Sequence, residues 1–210
     1  MAPFRQAATR ERILSRAGAL FARQGLDGLG IRQLAREAKV NIAAVNYHFG
    51  SKQALFREVC LLHLRAINAE RVALLDALEA RRGRVAAAEI LAAHLGPVVR
   101  FARGGDPANL LFMRLVMAQI ARRDPALQAA LAAEGKPVLD RVLGLLARAL
   151  PRASTADLRL GLAQIIGSTT HLLMNEELER AARAARPLSA EALLGRLVAH
   201  GVAGLRALRA

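Results

Sequence analysis

Tryptophan is absent from this chain, and tyrosine and cysteine occur once each. With Cys60 as the single thiol, no internal disulfide can form, and a reducing cytoplasm is the expected compartment. No stretch alternates strictly between apolar and polar residues, so strands are not expected. Long apolar runs are missing too. The longest uncharged stretch, between Leu160 and Glu176, contains Gln, Ser, Thr, His and Asn, and is too short and too polar to span a bilayer. Met1 to Arg16 holds no apolar core segment, so no signal peptide is expected. Acidic residues are scarce: 17 Asp and Glu face 31 Lys and Arg, for a formal net charge of +14.

What is abundant is Ala, Leu and Arg, which favour helix throughout the 210 residues. The positive charge is densest at the start. Residues 1–52 hold nine basic and three acidic side chains, and the remaining 158 hold 22 and 14. The N-terminal excess reads as a phosphate-facing surface. The later excess reads as solvated arginine.

Residues 31–52 organise the rest: IRQLAREA, KVN, then IAAVNYHFGSK. In the first segment Ile31, Leu34, Ala35 and Ala38 recur at helical spacing. In the second, Val45 and Phe49 lie four apart and can face the first. Ile42, Ala43, Ala44, Asn46, Tyr47 and His48 are left to face outward. Two short helices that bury one stripe against each other and expose another form a helix-turn-helix, and the exposed stripe suits a DNA major groove. Asn41 is a good N-cap for the second helix, and Ser51 for the helix that follows.

Val45-Asn46-Tyr47-His48-Phe49-Gly50-Ser51-Lys52-Gln53-Ala54-Leu55-Phe56 resembles the signature of the TetR family of bacterial transcriptional regulators. Leu20 to Gly25 and Leu34 to Ala38 fit the same pattern at the same offsets. The resemblance covers about the first quarter of the chain. It implies an all-α fold of about nine helices. A helix-turn-helix DNA-binding domain, residues 1–52, would precede a larger helical effector-binding and dimerisation domain, residues 53–210. It also implies that Tyr47 and Lys52 grip the DNA backbone, that Arg32 touches DNA, and that Ala43, Ala44 and Asn46 face bases. With Asn41, Ile42 and His48 these form the candidate DNA-binding set. Ala can pack on a thymine methyl and Asn can pair with adenine. His48 fits either a phosphate contact or a helix-end cap. Two departures from the family pattern stand out. Gly30 replaces a capping Ser or Thr, and Lys39 replaces a turn Gly. A positive φ at Lys39 would cost on the order of 1 kcal/mol relative to Gly.

Beyond the motif, helices are expected over about 9–24, with a loose basic arm before Thr9, then over 52–80, 85–102, 107–122, 125–150 as one long helix or as two pieces broken at Gly135 and Pro137, 155–183 and 190–208. The buried face of the 52–80 helix is expected from Leu55, Phe56, Val59, Leu62, Ile67, Leu74 and Leu78. Cys60 and His63 have metal-like spacing, but no second pair follows, and Cys60 reads better as a core residue. No cofactor is expected. The segment 109–122 sets Arg114 among Phe and Met side chains. It needs either a carboxylate such as Glu134 or Asp140, or the acid group of a ligand. Phe101, Met113, Arg114, Met117, Gln164 and His171 form the candidate effector-binding set. His94, Thr169 and Asn175 are further polar groups that can line a cavity or be satisfied structurally. Small residues at Ala163, Gly167, Thr170, Gly201 and Gly204 suggest a homodimer interface.

The resulting expectation is a DNA-binding regulator, a repressor released from a double-stranded operator by a small apolar or amphipathic effector. The alternatives are a constitutive DNA-binding protein without effector and an enzyme. Against the enzyme, no paired carboxylates, metal spacing or nucleophile motif appear.

Overall fold

The computed structural model describes residues 2–122, 124–175, 177 and 189–208. Among these, all regular structure is helical: α1 (Ala2–Gly28), α2 (Ile31–Glu37), α3 (Ile42–Phe49), α4 (Lys52–Ala80), α5 (Ala87–Arg103), α6 (Pro107–Ala121), α7 (Pro125–Ala149), α8 (Thr155–Met174) and α9 (Ala190–Ala207). No helix among the described residues is long and apolar enough to cross a membrane.

The helices gather into two compact units. The first joins the residues up to Arg65 with Pro107–Glu134, and the second joins Ala66–Asp106 with the described residues from Gly135 onward. The core of the first unit is built on the period-3.6 stripe of α1, where Ile13, Leu14, Ala17, Leu20 and Phe21 are buried. Phe21 meets Phe56 of α4 edge to face at 5.2 Å, and Phe112 of α6 closes on Phe56 at 5.9 Å. Cys60 is buried in the same core, and burial pushes its thiol up to about 12. His63 packs its ring on Phe112 at 4.8 Å. The second unit buries Leu75, Ile90, Leu91, Val142, Leu146, Leu158, Leu162 and Leu205.

Gly161 and Gly201 mark where α8, α9 and α5 come closest in that unit. A Cβ on Gly161 would lie 2.7 Å from Leu205, and one on Gly201 would lie 3.0 Å from Leu91 and 3.1 Å from Ile165. Gly201 is therefore an internal packing residue and not part of an open interface.

Several expected boundaries shift. α1 begins at Ala2, so the segment expected as a loose arm continues the helix, and Thr9 accepts a hydrogen bond from Arg12 at 3.4 Å instead of capping. Gly25 takes φ 73°, the left-handed residue expected there, before a last short turn to Gly28. α7 runs unbroken through Pro137. The proline lacks an N–H for the Ala133 carbonyl, but both residues are exposed, so water can satisfy that carbonyl. α8 stops at Met174, where Asn175 leaves helical geometry at ψ 109°; most of the expected extension to 183 lies outside the described residues. On α4, Leu55, Phe56 and Val59 are buried as expected, joined by Cys60, Leu61, Asn68 and Leu75; Ile67, Leu74 and Leu78 are half-buried, and Leu62 is 44% exposed.

Candidate nucleic-acid interface

The reading head is α2, the turn and α3. α2 starts without a side-chain cap, because Gly30 offers only its carbonyl, which accepts from Leu34 N at 3.1 Å. Leu34, Ala35 and Ala38 are buried on one side, and Val45 and Phe49 of α3 on the other. The turn closes with Val40 N donating to Ala35 O at 2.9 Å. That closure holds Lys39 at φ 54°, the left-handed conformation that favours glycine. Asn41 then caps α3, its side chain accepting from Ala43 N at 2.8 Å. Gly50, at φ 70°, ends α3, and Ser51 caps α4 by accepting from Ala54 N at 3.0 Å.

This geometry leaves Ile42, Ala43, Asn46 and Tyr47 on the open side of α3, with Tyr47 73% exposed. Ala44 and His48 are half-buried on its shoulders. Tyr47 and His48 meet edge to face at 5.3 Å, which steadies the phenol at the helix end. Arg32 and Asn41 are exposed as well. Lys52 is half-buried, and its ammonium donates to the carbonyls of Asp27 and Leu29, both at 3.2 Å. It ties the start of α4 to the α1–α2 connection, and one of its three hydrogens is left uncommitted.

Two features of this surface were not singled out from sequence. Arg10 pairs with Glu58 and lies over the Phe49 ring, 5.5 Å from its centroid, joining α1, α3 and α4. Arg12, Arg16 and Lys39 line a groove of about 490 Å³ with Glu11 and Glu37. The i, i+4 spacing of Arg12 and Arg16, flanking the Ile13–Ala17 stripe, is the sequence signal that would have found them.

The candidate effector residues divide between the two units. Met113, Arg114 and Met117 are half-buried on α6 in the first unit, and Arg114 is engaged in an interaction of its own. Phe101, Gln164 and His171 belong to the second unit. Gln164 and His171 are exposed on the face of α8 that carries Leu160, itself 58% exposed, and Gly167. That stripe is open, so neither group points into the interior. Glu134 pairs with Arg65 at 3.0 Å, and Asp140 pairs with Lys136. No group of three or more His, Cys, Asp or Glu that could hold a metal occurs among the described residues.

Comparison with known proteins accounts for both parts of the chain. The family model for bacterial regulatory proteins of the tetR family matches residues 13–59, and the model for the tetracyclin repressor-like C-terminal domain matches residues 92–204. No curated protein sequence matches the chain. Among solved structures, a protein described as a TetR-family transcriptional regulator from Mesorhizobium loti is 21% identical, with TM-score 0.63, over 97% of this chain and 96% of its own. The TetR-family regulator PfmR from Thermus thermophilus is 22% identical, with TM-score 0.65, over 93% and 97%. AibR, solved in complex with isovaleryl coenzyme A and operator DNA, is 14% identical, with TM-score 0.65, over 90% and 96%. These likenesses concern the fold; the matching family models cover the reading head and most of the second unit, and the chain belongs to the TetR family of DNA-binding transcriptional regulators.

Proposed function

We propose that this regulator is a homodimeric repressor that leaves its operator when a small amphipathic molecule binds its helical effector domain. The observation that carries the DNA part is the open face of α3, capped by Asn41 and presenting Ala43, Asn46 and Tyr47 beside an unusually basic surface. Short side chains on that face favour apolar contact and groove-shape readout, with Asn46 as the principal hydrogen-bonding reader. Arg32, Tyr47, His48 and the remaining donor of Lys52 would hold phosphates.

The dimer reading rests on the open stripe of α8 and α9. Leu160, Ala163 and Gly167 on α8, and Gly195, Ala199 and Ala203 on α9, are exposed, and a Cβ on Gly167 or Gly195 would meet nothing. Small and apolar residues on two antiparallel helices suit a four-helix contact with a second copy. A symmetric dimer places two reading heads roughly one DNA turn apart. α4 starts in the first unit and ends in the second, which makes it the natural carrier of an effector's influence to the reading head. The similar fold of AibR, solved with an acyl thioester and operator DNA, supports this pairing of functions.

The test is to recover fragments of genomic DNA bound by the purified protein and footprint them. A two-fold symmetric protected site supports the reading. Uniform, sequence-independent protection would replace it with a non-specific DNA-binding protein.

A further inference from the structure

Arg71, in the second half of α4, is a half-buried guanidinium with no carboxylate partner among the described residues. Its Nε donates to the backbone carbonyl of His94 at 2.8 Å, and its Nη1 donates to the side-chain oxygen of Asn68 at 3.0 Å. Both acceptors are neutral. They fix the plane of the guanidinium and leave both hydrogens of Nη2 and one of Nη1 uncommitted. The other arginines facing this helix are neutralised: Arg100 pairs with Glu70, and Arg141 with Asp76 and Glu79. A desolvated cation held rigid by dipoles and lacking a counter-ion is unfavourable unless an anion arrives.

Two more polar groups in the same unit lack hydrogen-bond partners. His94 is 5% exposed with Nδ1 unpaired, and Thr169 of α8 is 2% exposed with Oγ1 unpaired. They lie at the same level of the fold. Leu91 of α5 and Ile165 of α8 both close on Gly201, and His94 and Thr169 are each one turn further along. α5 and α8 run in the same direction, since both start from the end of the unit where Arg84 donates to the Ala149 carbonyl at 2.8 Å. Buried polar atoms are nearly always satisfied, so these two orphans, one of them on the residue whose carbonyl holds the uncompensated Arg71, point to a place completed by another molecule.

We infer that Arg71, Asn68, His94 and Thr169 form the receptor for the carboxylate end of a small organic acid. The planar fork of Arg71 suits a carboxylate's two oxygens, while a His94 Nδ1–H and the Thr169 hydroxyl can donate to the same group. Leu91 and Ile165, one turn before His94 and Thr169 and both closing on Gly201, are the apolar side chains next to these groups along α5 and α8. This deepens the proposed function and rests on the second unit being the effector domain. It moves acid recognition from Arg114, which is already engaged, to Arg71.

The experiment uses the full-length protein with octanoate, decanoate and benzoate, each compared with its uncharged primary amide, by calorimetry and thermal shift. At least one carboxylate should bind and its amide should bind much more weakly. Arg71→Gln should weaken the carboxylate by about tenfold or more, the loss expected for a charge-assisted bond. Thr169→Val, which keeps shape and removes only the hydroxyl, should weaken it by a few fold, and Arg114→Met should leave it unchanged. Equal binding of acid and amide, no binding by any of the three acids, or a folded Arg71→Gln or Thr169→Val variant with wild-type affinity would overturn the assignment. DNA affinity is followed in parallel. Carboxylate binding that depends on Arg71 but leaves DNA affinity unchanged would uphold this receptor and defeat the effector role instead.

Discussion

The ammonium of Lys52 donates to the carbonyl of Leu29 at 3.2 Å, so the residue at the foot of α4 also fastens the entry to α2. The same side chain is the one proposed above to contact a phosphate. Lys52→Gln can keep a hydrogen bond to the loop while removing the charge. It should lower the salt slope of DNA binding by about one unit with little loss of stability. Lys52→Ala should lower the same slope and also lose roughly 1–2 kcal/mol of stability in urea. An unchanged slope in both variants would remove Lys52 from the phosphate contacts.

Lys39 sits at φ 54° in the turn, is exposed, and makes its turn bond through the backbone. Lys39→Gly should raise the stability of the first unit by about 1 kcal/mol through relief of the left-handed strain. Denaturant titration of the two proteins measures this directly. A less stable glycine variant would mean that the flexibility gained by the unfolded chain outweighs the strain.

Gly167 and Gly204 face open space, where an added Cβ meets nothing within 4 Å. Gly167→Leu and Gly204→Leu should therefore fold with wild-type helicity yet run as monomers in light scattering, with much weaker operator binding. Gly201→Leu is the contrasting control, since it collides with Leu91 and Ile165 and should destabilise the subunit itself. Dimers that persist in both open-face variants would place the interface elsewhere.

Burial, aided by the Arg71 charge, holds His94 down to about 3 from an ordinary value of 6.5. The unfolded chain therefore takes up a proton on this histidine between those values and the folded chain does not. Stability from this site is full above pH 6.5 and declines as pH falls toward 3. His94→Gln should flatten that part of the curve of melting temperature against pH. Parallel curves for the two proteins would show that other groups govern acid unfolding.

Much of this was legible in the sequence because it depends on local chemistry. Asn41 and Ser51 cap α3 and α4 as their side chains dictate, and Val45 and Phe49 are buried as their spacing requires. What was not legible depends on distant partners. Arg10 meets Glu58 across 48 positions of sequence, and Arg71 meets the backbone of His94, which no side-chain pattern announces. Helical spacing also could not tell an interior polar group from an interfacial one. Gln164 and Thr169 lie five apart on α8, yet one is exposed and the other is buried. The continuity of α7 through Pro137 turned on solvent access to the Ala133 carbonyl, which sequence alone does not give.

The central claim is that the open face of α3 reads DNA sequence, and the most direct test is the ratio of affinities for a selected operator and a scrambled duplex of equal length at one salt concentration. For the wild-type protein the ratio should be large. Asn46→Ala should reduce it by the equivalent of about 1–3 kcal/mol, the discrimination of a single good base contact, while leaving scrambled-duplex binding unchanged. Tyr47→Ala, at the proposed backbone contact, should weaken both duplexes alike. A folded, dimeric Asn46→Ala variant with the wild-type ratio would contradict the account.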